Sequence, residues 1–338
     1  MTVTTQPDSH DALTARRRFA HTLGKSQAWG LPQIAGLAVL FLGGSLVIQG
    51  YASQPSIWSM LVIASFLGIA AAGQTIVVLL GGIDLSIPFV IGAANVMLVQ
   101  LSGYGWPLWA VLLAIVCMAV AVGGVNGLAS RGLGIHPLIV TLATGAILQG
   151  SLLVWTGGNP SGSAPDWLVS AVSIISTTGP IPLPPLVVFW ILLSIVLSVA
   201  LSKFAPARAF YALGANPRAA HLALVRGLGA WVGGFIASAL LASVAGIALA
   251  GFSSTGFLNI GEPYLFTSIA AVVIGGTSLL GARGNYWRTV LGTLMLIQIQ
   301  MIMIGLGLSQ QIQQLVLGLV IIAIMVVVGR GESLSRRI

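Results

Sequence analysis

Charged residues are the scarcest feature of this sequence, because Asp, Glu, Lys and Arg together make up only 6% of its 338 residues. A soluble domain carries roughly a quarter charged residues, so this chain lacks the polar surface that a water-soluble globule needs. Hydrophobic residues make up 57% of the sequence, and the mean hydropathy is +1.02. The composition therefore predicts an integral membrane protein whose solvent is the lipid bilayer.

Residues that carry chemistry are also few. The single cysteine, Cys117, lies in an apolar run, so we expect a small core residue rather than a disulfide or a thiolate metal cluster. The histidines and acids are scattered, and neither a phosphate-binding GxxxxGK[ST] motif nor a zinc-binding HExxH motif is present. These absences disfavour an intramembrane enzyme. We predict no catalytic site, no metal site and no cofactor.

Apolar runs fill most of the chain. Ten are long enough, or nearly so, to cross ~30 Å of hydrocarbon. They lie at about 31–50, 57–80, 87–101, 106–129, 137–156, 184–203, 228–251, 264–281, 286–304 and 311–329. The third and the eighth either span fully or are broken. We expect an all-α fold with one transmembrane domain (31–329) between two cytoplasmic tails (1–30 and 330–338), and a short interfacial helix around Trp167 and Leu168.

The positive charges fall on one side of this arrangement. All 14 Lys and Arg residues lie in the tails or in the loops near 81–86, 130–136, 203–227 and 281–288, whereas Asp166 and Glu262 fall on the other side. Because cytoplasmic loops of membrane proteins are enriched in Lys and Arg, both termini are predicted to lie inside the cell. The net charge of +8 therefore indicates membrane orientation and not a nucleic-acid partner.

The longest polar interruption is Leu201–Gly229. Asn216 is a suitable N-cap and Pro217 fits the first helical position, so residues from about 206 to 225 are predicted to form a short helix or a helix pair. A short cationic helix between two spans does not cross the membrane. It lies on the membrane surface or docks on a soluble partner, and we favour a motor protein.

Two glycine pairs mark candidate helix breaks or gates. The first is VVLLGGIDLS at 77–86, in which Asp84 and Ser86 follow Gly81 and Gly82. Asp84 either caps the broken helix, together with Ser86, or contacts a substrate or gate; a proton-coupling role is disfavoured by its position near the membrane edge. The second is AVVIGGTSL at 271–279, which contains four further candidates: Gly275, Gly276, Thr277 and Ser278. The likeness of the two stretches hints at an internal duplication.

Neutral polar side chains are scattered through the spans, with almost no charge. A path for an ion is expected to show rings of charge, whereas amides and hydroxyls suit a neutral polyhydroxylated solute. For any single one of them we favour interhelical hydrogen bonding over a place in the path. The candidates for the translocation path are Gln74, Asn95, Asn126, Thr144 and Gln298.

Three motifs together carry a family resemblance: GGIDLS at 81–86, GANPRAA at 214–220 and AAVVIGGTSLLGARG at 270–284. They resemble the permease subunits of bacterial ABC importers of the ribose, xylose, arabinose and galactose type, over about residues 31–329. The resemblance implies a ten-helix permease similar to the vitamin B12 importer, in the bacterial inner membrane. The implied partners are a cytoplasmic ABC ATPase, a periplasmic sugar-binding protein, and a second copy or paralogue of the permease.

The resemblance also assigns the cytoplasmic loop 203–227 to ATPase coupling. The implied coupling residues are Gly214, Asn216, Pro217, Arg218, Ala219 and Ala220. Three positions depart from the family pattern: Arg218 replaces an acid, Leu224 replaces a glycine, and Ala282 replaces the second glycine of Gly-Gly-Arg-Gly.

The function that follows is import of a monosaccharide, a pentose or a hexose, by a subunit that does not itself hydrolyse ATP. The alternative is a stand-alone secondary transporter or channel for a neutral polar solute. It is disfavoured by the absence of ionisable residues from the middle of the spans and by the large cytoplasmic loop. Pore-lining amides do not discriminate among sugars, so the sequence leaves the substrate open.

Overall fold

The computed structural model describes residues 30–331, which are helical apart from loops and one isolated β-bridge between Thr178 and Ile181. In chain order the helices are α1 (Leu31–Val47), α2 (Gln54–Leu79), α3 (Ile87–Gly103), α4 (Leu108–Gly132), α5 (Pro137–Thr156), α6 (Asp166–Val172), α7 (Pro185–Lys203), α8 (Ala205–Ala215), α9 (Pro217–Leu222), α10 (Gly227–Ser253), α11 (Tyr264–Ile274), α12 (Tyr286–Gly305) and α13 (Gln310–Gly331).

Six of these helices are long and apolar enough to cross a membrane: α2, α4, α5, α7, α10 and α12. Three more, α1, α3 and α11, are apolar but shorter. The helices of the described part follow the apolar runs of the sequence closely, and the short interfacial helix predicted around Trp167 is α6. An all-helical, multi-pass membrane protein is therefore confirmed.

The eighth apolar segment, 264–281, is broken after residue 274, which is one of the two possibilities that the sequence left open. Helix α11 has 11 residues, which corresponds to a length of about 16 Å and does not cross the hydrocarbon. The helix stops because Gly276 takes a left-handed conformation (φ 80°), and the chain then turns through residues 277–285. The leucines at 279 and 280 keep this turn apolar, which is why hydropathy extends past the helix end.

The core is formed by α2 and α3 packed against α10. Nearly every residue of α2 from Ala64 onward is buried. Glycines bring the helices close together: a Cβ on Gly73 would lie 2.9 Å from the Cα of Ser238, and one on Gly127 would lie 2.5 Å from the Cα of Val232. Such small residues allow membrane helices to approach closely, so packing replaces the hydrophobic driving force that lipid does not supply.

Loops contact one another in two separate groups. At one end, the amide of Ala282 donates to the carbonyl of Leu79 (3.1 Å). At the other, the amide of Ala164 donates to Ser254 (3.0 Å), and Gln149 donates to Asn259 (3.0 Å). The first group lies on the side of the chain that is rich in Lys and Arg, and the second lies on the side that carries Asp166 and Glu262.

Helix α4 packs mainly against α10, with smaller contacts to α3 and α5, and leaves its outer face exposed. Cys117 is exposed on it, so the expectation of a core residue is wrong. Its buried positions recur at Val111, Ile115 and Ala119, and Cys117 falls between them on the outer face. Among residues 30–331, no group of three or more His, Cys, Asp or Glu side chains is arranged to hold a metal ion.

Candidate coupling site and translocation path

The break after α2 is a glycine C-cap. Gly81 has a φ of 85°, a left-handed conformation that favours glycine because it has no Cβ. The amide of Gly81 donates to Val78 (2.9 Å), and that of Gly82 donates back to Val77 (3.0 Å). These bonds satisfy carbonyls that the helix end leaves free, so the chain can turn sharply towards Asp84.

The same cap ends α11, shifted by one residue against the sequence likeness. Gly276 has a φ of 80°, and the amide of Thr277 donates back to Val272 (3.1 Å). The local geometry therefore pairs Gly81 with Gly276, whereas the sequence motif pairs Gly81 with Gly275. Gly275 has a packing role instead, because a Cβ there would lie 2.6 Å from the carbonyl oxygen of Arg288 on α12.

The three family motifs converge at one point of the fold. A Cβ on Gly281 would lie 3.0 Å from the Cα of Gly214 and 3.0 Å from the backbone nitrogen of Gly81. A Cβ on Gly214 would meet the carbonyl oxygen of Leu79 and would lie 2.6 Å from the nitrogen of Ala282. Helix α8, which carries Gly214, is thus seated directly on the breaks that follow α2 and α11. We call this the glycine contact.

A tyrosine of α8 reinforces the glycine contact. The hydroxyl of Tyr211 donates to the carbonyl of Gly284 (3.0 Å). Burial raises the pKa of the Tyr211 hydroxyl above its usual range, an effect that the Arg288 guanidinium partly opposes. The hydroxyl consequently keeps its proton, and with it this hydrogen bond, at neutral pH.

The predicted coupling residues lie on two faces of α8 and α9. The side-chain oxygen of Asn216 accepts from the amides of Arg218 (3.0 Å) and Ala219 (3.1 Å), which confirms it as the N-cap of α9. Asn216, Pro217, Arg218 and Ala219 are exposed. Ala220 is only 4% exposed and packs with Leu80 and Leu213 of its own chain. The outward edge is therefore 216–219, while Gly214 and Ala220 face the rest of the protein.

Asp84 is buried at the first break, and no cationic side chain among residues 30–331 pairs with it. One carboxylate oxygen accepts from the amide (2.9 Å) and the hydroxyl (2.5 Å) of Ser86, and the other accepts from the hydroxyl of Ser238 on α10 (2.7 Å). Three hydrogen bonds to a carboxylate offset much of the cost of burying it. Asp84 thus stabilises the turn between α2 and α3, whereas the side chain of Ser86, the residue before α3, makes no cap hydrogen bond to that helix.

Two of the predicted path residues belong to this same network. Asn126 of α4 donates to the Ser86 hydroxyl (2.9 Å), and Thr144 of α5 donates to the Asn126 side-chain oxygen (2.7 Å). The amide of Leu85 also donates to Thr141 (3.1 Å). The Asp84 network, as we call it, joins the first break to α4, α5 and α10 and so holds four parts of the fold in register.

The other three path candidates differ, because they are buried amides with unpartnered atoms. Among the described residues, neither side-chain polar atom of Gln74 has a hydrogen-bond partner, nor does Asn95 Nδ2 or Gln298 Oε1. Asn95 Oδ1 does accept from the amide of Phe257 (2.9 Å). A buried polar atom without a partner costs roughly 1–3 kcal/mol, so these positions call for an explanation that packing does not give.

The residues after the second break form a compact turn. Thr277 is buried, and a Cβ on Gly284 would collide with its side chain. The amide of Ser278 donates to the carbonyl of Arg283 (2.9 Å), which closes the turn. Thr277 and Ser278 thus lie within the turn that brings Gly281 to the glycine contact.

Sequence reasoning missed Ser238 and Tyr211. A serine in a spanning helix usually bonds its own backbone, so nothing local marked Ser238 as the partner of Asp84. Tyr211 lies three residues before Gly214 on α8, one turn of helix away, and this spacing was the available signal.

Two kinds of similarity to known proteins accompany this geometry. Residues 56–325 match the family described as the permease component of branched-chain amino acid transport systems. The autoinducer 2 import system permease protein LsrC of an Enterobacter species is 32% identical over 314 residues, 89% of this chain and 88% of that protein.

Further relatives have the same character. The ribose import permease protein RbsC of Haemophilus influenzae is 30% identical over 263 residues, covering 77% of this chain and 80% of its own length. A probable ABC transporter permease protein of Sinorhizobium fredii, y4mJ, is 32% identical over 234 residues, with coverages of 69% and 68%. No solved structure matches the chain significantly.

Proposed function

Because the chain belongs to the family of permease components of branched-chain amino acid transport systems, we propose that it forms the membrane path of an ATP-driven sugar importer. Relatives named as ribose and autoinducer 2 permeases support a sugar or a sugar-derived solute as the cargo. Members of this family are transport subunits without a catalytic site of their own and lie in the inner membrane as multi-pass proteins. ATP hydrolysis belongs to a separate cytoplasmic subunit, and a periplasmic binding protein delivers the cargo.

The glycine contact is the observation that carries this proposal. A stand-alone carrier has no need of a surface helix seated on two helix breaks. In an importer, movement of the ATPase would be transmitted through α8 to the ends of α2 and α11 at once. Because the Asp84 network ties the first break to α4, α5 and α10, tilting α2 would also shift those helices.

The ATPase would dock on the outward edge 216–219. These residues are exposed, whereas the buried Ala220 packs α9 against the rest of the protein. Arg218 adds a positive charge that suits an acidic cleft on the partner. Because the family pattern has an acid at this position, we expect the chain to be selective for its own ATPase.

The cargo path would pass the buried amides Gln74, Asn95 and Gln298. An amide offers two donors and an acceptor to sugar hydroxyls, and binding that is weak at each point allows the cargo to leave again. The unpartnered atoms of these side chains support this assignment over a purely structural one. Asn126 and Thr144, which satisfy each other in the Asp84 network, would hold the path in shape.

The proposed architecture is ten membrane segments in one domain, 31–329, with both tails in the cytoplasm and a second permease copy or paralogue alongside. The grouping of loops into two sets supports the orientation. Helix α11 would cross only part of the membrane, and the non-helical residues 275–285 would complete the segment to the cytoplasmic end, where non-helical backbone is tolerated because it is buried in protein. We propose that the arrangement is similar to that of the vitamin B12 importer.

The test is purification of the chain from its native membrane in nanodiscs, with mass spectrometry of every co-purifying protein and small molecule. We expect a Walker-motif ATPase and a periplasmic protein carrying a bound sugar. The recovered sugar is then offered to proteoliposomes that contain the purified complex. In vesicles whose ATPase faces the interior, uptake should require ATP inside the vesicles.

Activity of the chain alone would contradict the proposal. If repeated purifications recover only this chain, and it transports a neutral solute into proteoliposomes without ATP, the protein is a secondary transporter. In that case the glycine contact is a structural brace with no part in coupling.

A further inference from the structure

A basic cavity opens at the end of the fold that carries the glycine contact. It has a volume of about 600 Å³ and lies between the end of α4, the end of α9 and the start of α10. Its cationic side chains are those of Arg131 and Arg226, with His221 beside them. All three are exposed.

No acid of the described part neutralises this cavity. Residues 30–331 contain three acidic residues, Asp84, Asp166 and Glu262. Asp84 is held by Ser86 and Ser238, while Asp166 begins α6 and Glu262 precedes α11, both at the opposite end of the fold. The two arginines therefore present positive charge that is left available to an anion from outside.

The backbone adds to the same field. Residues 227–229, the first turn of the 27-residue helix α10, line the cavity, and no side chain caps this turn. Uncapped amides at a helix start carry partial positive charge. A Cβ on Gly227 would lie 3.5 Å from Nε of Arg131, so the guanidinium stands directly beside this helix start.

Exposed apolar side chains continue from the cavity along the spanning helices. Leu228 is exposed at its rim, and Val125 and Leu128 are exposed on the preceding turns of α4. The adjoining loop exposes Leu133 and Ile135. A carboxylate from a soluble partner needs the charge but not this apolar extension, whereas a lipid needs both.

We infer that this cavity binds the headgroup of an anionic phospholipid from the cytoplasmic leaflet, with the acyl chains lying along α4 and α10. Arginines at the cytoplasmic ends of spanning helices lie at the depth of lipid phosphates, and basic pockets between such helices suit anionic headgroups. The binding site rests on the proposed orientation but not on ATP-driven transport. Its consequence rests on that proposal: a lipid held by Arg226 and His221 would fix the end of the coupling loop.

Native mass spectrometry of the purified chain in detergent tests the inference without any ATPase. The probes are phosphatidylglycerol and phosphatidylcholine with identical acyl chains, titrated separately. We expect preferential retention of one phosphatidylglycerol. Each arginine near an anionic lipid contributes roughly a factor of five in affinity, so R131Q/R226Q should weaken retention by about 30-fold.

A matched control removes the same charge from the same side of the protein. K203Q/R208Q alters two cationic residues of α7 and α8 outside the cavity, and it should leave phosphatidylglycerol retention within about twofold of the unaltered chain. R131K/R226K keeps the charge and should retain most of the binding. Melting temperatures of all variants establish that the exposed substitutions leave the fold intact.

Three results would overturn the inference. Equal retention of both lipids by the unaltered chain would show no headgroup preference. Equal losses of phosphatidylglycerol retention in R131Q/R226Q and K203Q/R208Q would show that only the overall positive charge matters. Retention unchanged in R131Q/R226Q, with binding of the purified partner ATPase weakened instead, would assign the cavity to an acidic side chain of that protein.

Discussion

Gly214 is the residue at which a single methyl group should separate membrane insertion from transport. Alanine there would place its Cβ against the carbonyl oxygen of Leu79 and 2.6 Å from the nitrogen of Ala282. Both are backbone atoms of segments that are fixed by their own hydrogen bond, so neither can swing aside as a flexible side chain would. Helix α8 must therefore move away from the breaks.

The size of the effect follows from these distances. Ordinary contact begins at 3.4 Å, so α8 must retreat by about 0.8 Å from Ala282 alone. A shift of that size would stretch the hydrogen bond from Tyr211 to Gly284 from 3.0 Å beyond useful range. Overpacking of this kind costs about 1–3 kcal/mol. Taking about 2 kcal/mol as the loss from the coupled arrangement, the ratio of coupled to uncoupled arrangement should fall about 30-fold, and uptake per ATP should fall by up to that factor.

The assay is ATP-driven uptake into proteoliposomes that contain the permease, its ATPase and its binding protein, with ATPase binding measured in parallel. Gly233→Ala on α10 is the matched control, because a Cβ at Gly233 meets nothing within 4 Å, and alanine is favoured in helices. We expect Gly214→Ala to insert and to bind ATPase while transporting poorly. Normal uptake by Gly214→Ala would show that transport does not depend on the close contact of α8 with Leu79 and Ala282.

Three further predictions concern the same end of the fold. Asn216→Asp combined with Ala220→Asp should abolish transport in a protein that still inserts, because the second change buries a carboxylate against Leu213 without a partner; uptake and membrane fractionation measure this. Ser238→Ala should lower the free energy of unfolding by roughly 1.5–3 kcal/mol, since it leaves an oxygen of the buried Asp84 carboxylate unpaired; thermal unfolding in detergent measures it. Leu224→Gly should raise the melting temperature, because a left-handed leucine costs about 1–2 kcal/mol.

Each of these three predictions has a matched control variant. Asn216→Asp alone keeps an oxygen that can cap α9, so most transport should survive. Ser243→Ala removes only a bond to the carbonyl of Ala239 in its own helix and should cost well under half as much as Ser238→Ala. Leu222→Gly replaces an exposed helical residue and should destabilise; a gain equal to that of Leu224→Gly would contradict the strain argument.

Local features of the fold could be predicted because local sequence determines them. The helices follow apolar runs, and the start of α9 follows from an asparagine placed before a proline. The end of α11 could not be placed, since the leucines at 279 and 280 extend the apolar run past Gly276. The sequence likeness of the two glycine pairs was real, but only hydrogen-bond geometry shows the shift of one residue between them.

The glycine contact could not be predicted, because it joins positions far apart in the chain. Gly81, Gly214 and Gly281 each carry only a local signal for a turn or for close packing. The family resemblance did mark two unusual positions. The resemblance implies glycine at Leu224 and Ala282, and both residues have left-handed backbones, with φ of 59° and 61°, a conformation that favours glycine. The backbone keeps the glycine conformation although the glycine itself is gone.

We expect α8 and the turn after α11 to move as one body when the ATPase closes. Pulsed electron resonance measures this directly in a Cys117→Ser background, with spin labels at Arg208→Cys and Leu280→Cys on that body, all three residues being exposed. A third label at Trp106→Cys reports from the opposite end. If the two segments move together, ATP binding to the complex should leave the distance between 208 and 280 constant and change the distance between 208 and 106. Separation of 208 from 280 while 280 stays fixed relative to 106 would contradict it, because α8 would then slide over the helix breaks without moving them.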